Sequence, residues 1–292
     1  MENKNFTIAD LERFSGVKAH TLRIWEKRYG LLKPNRSPGN FRLYTLAELK
    51  KILNIALLKK NGFQISGLSK FSDTEIENKI AILLHDESKW QKAINDLTIN
   101  MYTRDPESFE WVLDELLLTW SVDILVEKII FPFLKITHLL WEGNQLFEEH
   151  LVVTAARKKL IFAIECTVAV AVKDKTVLLF LPGTKQLDLG LLYCNYYLKR
   201  RSVHVLYLGN DVNIENLKII LQVHPPAYIF TYLQEHHRFP VSQLSALMNV
   251  HVPSAKLIIA QYSASVSNTA CDNNLLQLEY DNALFYLYQN GK

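Results

Sequence analysis

The sequence is poor in cysteine and has no long uninterrupted hydrophobic run. Its three cysteines include no CxxC pair, and this odd number argues against a disulfide framework or a structural zinc site. The most apolar stretch, residues 122–141, is interrupted by charged side chains and is typical of a buried helix rather than a membrane span. Residues 1–12 lack the features of a secretory signal. We therefore expect a cytoplasmic protein without a membrane partner.

Common catalytic motifs are also missing. The sequence has no GxGxxG, P-loop, HExxH or serine-centred elbow, which predicts a protein that is not an enzyme and has no catalytic residues. The nearest approach to a metal-ligand cluster is Glu235-His236-His237. Because adjacent residues of a loop point in different directions, a solvated turn is favoured over a metal site there.

Charge is distributed unevenly along the chain. The 292 residues are 49% hydrophobic and 22% charged, a composition that favours two or three packed domains. Residues 1–60 contain 13 Lys or Arg and 5 Asp or Glu, whereas the remainder is mildly acidic. A basic head on an acidic body indicates that the head binds a polyanion.

The basic head begins with the pattern of two short helices. Residues 7–10 have the spacing of a capping box, and Gly16 is expected to end the first helix. A second helix starting near Lys18 completes a helix-turn-helix, whose second helix normally enters a major groove. Helical spacing gives this helix one stripe of large side chains, Leu22, Trp25 and Tyr29. The remaining arc is mostly basic and contains Lys18, His20, Thr21, Arg23, Lys27 and Arg28.

Residues 30–44 have the pattern of a hairpin wing. Pro34, Pro38 and Gly39 favour turns, and residues 40–44 alternate as a returning strand does. A capping box at residues 45–48 then opens a helix that we expect to run from Leu46 to about Lys60. The head is therefore predicted to be a winged helix-turn-helix.

The head resembles the MerR family of bacterial transcription regulators. The resemblance rests on TLRIWE at 21–26, GLLKP at 30–34 and GNFRLY at 39–44, and WEKRYG at 25–30 is similar to the light- and cobalamin-sensing branch that includes CarH and LitR. By this resemblance Thr21, Arg23 and Arg28 would serve the groove. The wing residues that would hold the phosphate backbone are Arg36, Asn40, Arg42 and Tyr44.

Four further residues of the second helix complete the candidate DNA-binding set. Lys18 and His20 lie on its basic arc, whereas Trp25 and Tyr29 share the stripe of Leu22. Packing is therefore the favoured interpretation for Trp25 and Tyr29, and base reading is the alternative.

The middle of the chain is predicted to be a four-helix bundle. A capping box at residues 72–75 starts a short helix, which leads through a polar hinge at 86–88 into the bundle. Four amphipathic runs follow, near 89–101, 106–119, 121–142 and 147–170. Pro132 is expected to kink the third run, because it removes a backbone hydrogen bond.

Three residues of the middle resemble the signature that covers cobalamin in the CarH-like branch. They are Trp141, Glu149 and His150. Seven residues separate Trp141 from Glu149, two fewer than in the family pattern, and two residues amount to about half a helical turn. A core tryptophan with a satisfied polar histidine is the alternative interpretation.

The tail alternates short apolar runs with helical patterns. Strands are predicted at 176–181, 203–208, 227–233 and 257–261, with a fifth around 275–278, and helices at 188–200, 214–223 and 241–249, with a last one to Tyr288. This alternation predicts a doubly wound parallel sheet. Ligands of such sheets bind beyond the carboxyl ends of the strands, where residues 181–190 are expected to lie.

The tail resembles a cobalamin-binding domain that has lost its ligand chemistry. The resemblance rests on residues 181–183, 188–190 and 207–212, and in the family the turn carries Asp-x-His-x-x-Gly, whose histidine binds cobalt. Alignment on Gly190 puts Lys185 at the aspartate and Leu187 at the histidine. Larger residues also replace the small ones that would pass the nucleotide tail, at 231–234 and 260–262. We therefore expect no cofactor, and treat Trp141, Glu149, His150, Lys185, Leu187 and Gly190 as degenerate positions.

These observations predict three domains of α and α/β class: a winged helix-turn-helix (1–75), a cap-like helical bundle (76–172) and a Rossmann-like domain of cobalamin-binding type (173–292). The predicted function is sequence-specific transcription regulation on double-stranded DNA, as a homo-oligomer. Two alternatives remain. The regulator could still bind a corrinoid or other small molecule, or a protein partner could dock on the tail.

Overall fold

A computed structural model of the protein describes residues 5–138, 146–168, 172–182, 188–232, 241–261, 270–272 and 274–291. The chain divides into two compact units, Met1–Ala155 and Ala156–Lys292. Their boundary falls within one helix, Leu146–Glu165. The three-domain division at residues 75 and 172 stays a prediction. Among the described residues, no helix has both the length and the apolar character needed to cross a membrane.

Helices dominate the described part of the first unit. In chain order its elements are α1 (Ile8–Ser15), α2 (Ala19–Tyr29), β1 (Asn35–Arg36), β2 (Arg42–Leu43), α3 (Leu46–Lys60), α4 (Ile65–Leu68), α5 (Asp73–Ala81), α6 (Asp86–Thr103), α7 (Pro106–Thr119), α8 (Val122–Ile124), a π-helical segment (Leu125–Ile130), α9 (Phe131–His138) and α10 (Leu146–Glu165).

The helix boundaries of the head follow from local chemistry. The predicted capping boxes at Thr7, Thr45 and Ser72 all form, each with its side chain accepting from the third backbone N–H of the helix. Gly16 and Gly30 end α1 and α2 with φ of 69° and 62°, a left-handed conformation that glycine adopts at little cost.

The wing is a hairpin extended by the N-terminal segment. β1 and β2 pair antiparallel, with Asn35 opposite Leu43. Phe6 then pairs with Tyr44, each N–H donating to the other residue's carbonyl oxygen at 2.8 Å. The segment before α1 therefore supplies a further line of backbone hydrogen bonds beyond the hairpin itself.

The head and α6 share one core. The rings of Phe6 and Phe14 meet the ring of Tyr102 edge to face, with centroids 5.0 and 5.9 Å away. At the other end of α6, Ser88 Oγ donates to Asn61 Oδ1 at 2.8 Å, which joins the start of α6 to the end of α3. The winged head is therefore packed against α6 as well as bonded to it along the chain.

The middle helices follow the predicted amphipathic runs over their described residues, with two corrections: α10 ends at Glu165 rather than near 170, and the expected hinge is helical. Residues 86–88, expected as a polar hinge, are the first turn of α6. His85 precedes them with extended backbone, and acidic Asp86 and Glu87 suit the positive end of a helix.

Pro132 acts on its helix through the hydrogen-bond register. The residues before it form the π-helical segment Leu125–Ile130, and the N–H of Phe131 donates to the carbonyl of Val126, five residues earlier. A proline has no N–H to continue the α-helical ladder. The helix therefore has a wider turn just before the proline, and the expected kink stays a prediction.

The second unit contains a mixed six-stranded sheet. Its elements after α10 are β3 (Val172–Phe180), α11 (Leu189–Lys199), β4 (Val203–Gly209), α12 (Ile214–Val223), β5 (Tyr228–Tyr232), α13 (Val241–His251), β6 (Lys256–Gln261), β7 (Ala270–Asp272), β8 (Leu275–Glu279) and α14 (Tyr280–Asn290). The strand order is β4-β3-β5-β6-β8-β7. The first five strands in this order are parallel, and β7 adds an antiparallel edge that the sequence did not predict.

Helices cover both faces of this sheet, as predicted. On one face Leu178, Phe180 and Ile229 pack with α12 and α13 in a buried cluster. On the other face the rings of Phe230 and Tyr232 approach Tyr280 at the start of α14. The alternation of apolar side chains along β5 therefore serves two helical layers.

Candidate functional site

The second helix of the head is positioned by a carboxylate from the first. Glu12 Oε2 accepts from the N–H of Ala19 at 2.9 Å and so caps the start of α2, while Glu12 Oε1 lies 3.2 Å from Lys18 Nζ. The hydrogen bond from Ala19, and after it the one from Lys18, lowers the pKa of Glu12. The turn between α1 and α2 is thus fixed by a side chain that sequence patterns did not single out.

α2 turns its basic arc outward. Leu22 and Trp25 are buried, whereas the exposed residues of the helix and its cap include Lys18, His20, Arg23, Lys27 and Arg28. Thr21 is half-buried, with its Oγ1 3.2 Å from His20 Nε2. The Arg28 guanidinium lies 5.4 Å from the centroid of the half-buried Tyr29 ring. The arrangement offers a row of cations to a polyanion.

The wing presents a second cationic group beside an aromatic tip. Arg36 Nη1 donates to the carbonyl and the Oδ1 of Asn40, at 3.1 and 2.9 Å, and Asn40 has φ of 63°. Next to it Phe41 is 73% exposed. The Phe41 ring folds back over Gly39, where an added Cβ would lie 3.0 Å from the ring. Phe41 was not among the sequence candidates, because alternation alone does not show which side of a hairpin is exposed.

Two candidate DNA-contacting residues require correction. Trp25 is 3% exposed and Tyr44 has no exposed surface, so both belong to the core of the head, and Trp25 follows the packing interpretation. Tyr44 shared the alternation of the wing strand, but its position opposite Phe6 turns it inward. Burial, followed by the nearby charge of Glu26, raises the pKa of Tyr44 above its ordinary range.

Glu26 joins α2, the second helix of the helix-turn-helix, to the wing. Its Oε1 accepts from Arg42 Nε at 3.0 Å, and its Oε2 accepts from the Tyr44 hydroxyl at 3.1 Å. The hydrogen bond with Glu26 is the main cause that raises the pKa of Arg42. Sequence reasoning missed this residue, and the available signal was an acidic side chain within a basic segment.

Only part of the predicted corrinoid signature can be placed. Trp141, Lys185, Leu187 and residues 235–237 lie outside the described residues, and Glu149 lies in α10, where its side chain is not described. His150 is exposed on the same helix. Gly190 is buried in the first turn of α11. The described residues contain no group of His, Cys, Asp or Glu suited to a metal ion.

The carboxyl end of β5 is filled by aromatic side chains. Tyr232 is 1% exposed, and its ring lies 6.2 Å from that of Tyr280, which is also buried. The Tyr280 hydroxyl donates to the carbonyl oxygen of Gly190. These tyrosines therefore tie β5, α14 and α11 together at this end of the sheet.

An ion pair fixes the start of α11. Arg157 on α10 meets Asp188 with Nε 3.0 Å from both carboxylate oxygens and Nη2 2.7 Å from Oδ1. Such a bidentate pair is geometrically specific. Burial, and to a lesser degree the charge of Asp188, raises the pKa of the nearby Tyr207 to about 12. The segment after residue 187 is thus anchored by the chain's own charges.

The head is similar to known transcription regulators. Residues 6–75 match the MerR HTH family regulatory protein model. The head is therefore of MerR type, and the chain is related to two transcriptional repressors over most of its length. It is 26% identical over 238 residues to the HTH-type transcriptional repressor CarH of Myxococcus xanthus, covering 77% of this chain and 78% of that one. It is 25% identical over 230 residues to the repressor CarA of the same organism, covering 78% and 76%. These relatives are regulators rather than enzymes, in agreement with the sequence prediction.

The fold of the chain is similar to that of a solved corrinoid protein. The Methanosarcina barkeri monomethylamine corrinoid protein aligns with a TM-score of 0.53 at 15% identity, over 68% of this chain and 98% of that protein. Together with the head, this confirms the predicted fold class of a winged helix-turn-helix, a helical middle and a Rossmann-like sheet.

Two residues of the sheet unit differ from the pattern of the corrinoid-binding family. The histidine position carries Leu187, and a leucine has no lone pair to donate to cobalt. Tyr232 occupies the strand end where the family pattern has small residues, and it is packed against Tyr280. A buried tyrosine ring takes up volume that a glycine or serine leaves open.

Proposed function

We propose that this regulator binds DNA in a sequence-specific manner through α2 and the wing. The observation that carries the proposal is the outward row of cations on α2, continued by Arg36 on the wing. In this proposal Arg23 and Arg28 contact base edges in a major groove, whereas Arg36 and Arg42 contact the phosphate backbone. Lys18 and His20 extend the same row.

Two copies are needed for this selectivity. One short recognition helix covers too few base pairs to single out a site, so we infer a homo-oligomer on two half-sites of double-stranded DNA. Because such a regulator binds the bacterial genome, we infer that it acts in the cytoplasm. The relatives CarH and CarA are named as repressors, and repression is the expected sign of regulation.

The sheet unit acts in this proposal without cobalamin. Leu187 cannot ligate the metal, and Tyr232 with Tyr280 fills one strand end. The inherited fold then serves as a scaffold, and a signal reaches it through a different ligand or through a protein partner.

Competition binding tests the DNA part of the proposal. The full-length protein is titrated against the DNA upstream of its own gene, with a scrambled duplex of equal length as the control, at physiological salt. Specific recognition predicts a preference of at least about 1,000-fold for the natural duplex. Equal affinity for the two duplexes would refute sequence-specific regulation at that site.

Absorbance spectroscopy tests the corrinoid part. The protein is incubated with adenosylcobalamin in the dark and separated from free cofactor by gel filtration. We expect no corrin absorbance to elute with the protein. A stoichiometric corrin band would support the alternative, a regulator that still binds a corrinoid, while leaving the DNA-binding proposal untouched.

A further inference from the structure

The head contains an acidic side chain where DNA binding favours positive charge. Glu26 lies on the recognition helix itself, with its side chain 17% exposed. A carboxylate near a duplex repels the phosphates, so on charge alone its removal strengthens binding. Its two hydrogen bonds to the wing suggest what offsets this repulsion.

Both oxygens of Glu26 are engaged by the same wing strand. Oε1 accepts from Arg42 Nε and Oε2 from the Tyr44 hydroxyl. Tyr44 is fully buried, so its hydroxyl depends on this acceptor, and an unsatisfied buried hydroxyl is costly. The carboxylate therefore fixes the wing strand against α2 at two adjacent points.

The hydrogen bond to Nε also orients the rest of Arg42. The side chain remains 35% exposed, and among the described residues no hydrogen bond occupies its two terminal amino groups. A guanidinium held at Nε presents these remaining donors in a fixed planar fork, the geometry that suits a phosphate. Without Glu26 the same fork is free to rotate.

We propose that Glu26 is a positioning residue for DNA binding, which aims Arg42 at the phosphate backbone and sets the wing relative to the recognition helix. This inference rests on the proposed DNA-binding function. It assigns to a negative charge a favourable role in binding a polyanion. Removal of Glu26 is therefore expected to weaken DNA binding, whereas net charge alone predicts that it strengthens binding.

The test compares Glu26→Ala and Glu26→Gln with a matched change of charge elsewhere. Glu77→Gln is the control, because Glu77 is half exposed on α5 and pairs with Lys50 rather than with the wing. If Glu26 positions Arg42, Glu26→Ala is expected to weaken operator binding by about tenfold or more, which is the effect of losing one charge-assisted hydrogen bond. Glu26→Gln keeps one acceptor and is expected to lie between it and wild type.

Two readouts separate positioning from damage to the fold. The slope of log K against log salt is expected to fall by about 0.9 for each phosphate that the variant no longer neutralises, and hydroxyl-radical protection is expected to disappear at the wing while persisting at the major groove. In an Arg42→Ala background, Glu26→Ala is expected to weaken binding less than it does in the wild type, because part of its effect acts through Arg42. If Glu26→Ala does not fold, Glu26→Gln carries the same comparison.

Failure of the positioning role and failure of the proposed DNA-binding function give different experimental results. Wild-type protein that does not discriminate between duplexes would defeat the regulator proposal itself. Wild-type protein that discriminates, together with a folded Glu26→Ala or Glu26→Gln variant that binds as tightly as Glu77→Gln with an unchanged salt slope, would overturn the positioning role alone.

Discussion

Replacing Tyr102 tests whether the winged head and α6 share one cooperative core. Tyr102 is 8% exposed, and its ring is in edge-to-face contact with Phe6 and Phe14. Loss of a buried aromatic side chain costs about 3–5 kcal/mol. Each of the two ring pairs accounts for about 0.5–1.5 kcal/mol of that loss. We therefore expect Tyr102→Ala to lower the free energy of unfolding of the first unit by about 3–5 kcal/mol.

Tryptophan fluorescence makes this measurement selective. All five tryptophans precede residue 156, so urea unfolding followed by their emission reports on the first unit within the intact chain. Tyr102→Phe keeps the ring and is expected to cost about 1 kcal/mol or less. Phe41→Ala removes an exposed ring and is expected to change stability by less than about 0.5 kcal/mol.

A small effect would refute the shared core. If Tyr102→Ala lowered stability by less than about 1 kcal/mol, the three rings would not join the head to α6. A double-mutant cycle with Phe6→Ala gives a second check, since rings that touch are expected to couple by about 0.5–1.5 kcal/mol. Additive effects would show that the ring pair contributes nothing of its own.

Two further predictions concern charge. Arg36→Ala should weaken binding to all duplexes alike and reduce the slope of log K against log salt by about 0.9, if Arg36 neutralises one phosphate. Arg23→Ala should instead cost about 1–3 kcal/mol of binding free energy and relax sequence preference at one position. If both variants weakened binding to operator and to scrambled DNA equally, the assignment of Arg36 to phosphate and of Arg23 to bases would be contradicted. Because the folded state lowers the pKa of Glu12 below 4.5, its carboxylate stabilises the fold above that pH, and the contribution is lost as pH falls through the lowered value. Thermal unfolding should therefore show that the wild type is more stable than Glu12→Gln near neutral pH, and that the difference disappears below pH 4.5. A difference that stayed constant with pH would show that the Glu12 carboxylate charge is not its cause.

The sequence predicts the elements of the fold well, because each has a local signal. Capping residues such as Thr45 and Ser72 fix helix starts, and apolar runs such as that of β5 fix strands. The edge strand Ala270–Asp272 was missed, since three residues carry no periodic pattern. Its place beside β8 depends on tertiary pairing alone.

The candidate site was predicted only in outline. The basic arc of α2 follows from helical spacing, so the exposure of Arg23 and Arg28 was accessible from the sequence. Which side of the short hairpin faces inward was not, because Tyr44 is turned toward the core by its pairing with Phe6. The partners of Glu12 and Glu26 likewise depend on interactions across the head, with residues six to eighteen positions away.

The pairing of Phe6 with Tyr44 makes the segment just before α1 a support of the wing. Both backbone hydrogen bonds that flank the wing end on Phe6, and its ring lies in the cluster with Tyr102. Proteolytic trimming past this residue would therefore loosen wing and α6 together. In the proposed mode of DNA binding, operator occupancy would then respond to cleavage next to a residue that is itself buried, and an affinity tag fused directly ahead of Phe6 would carry the same risk.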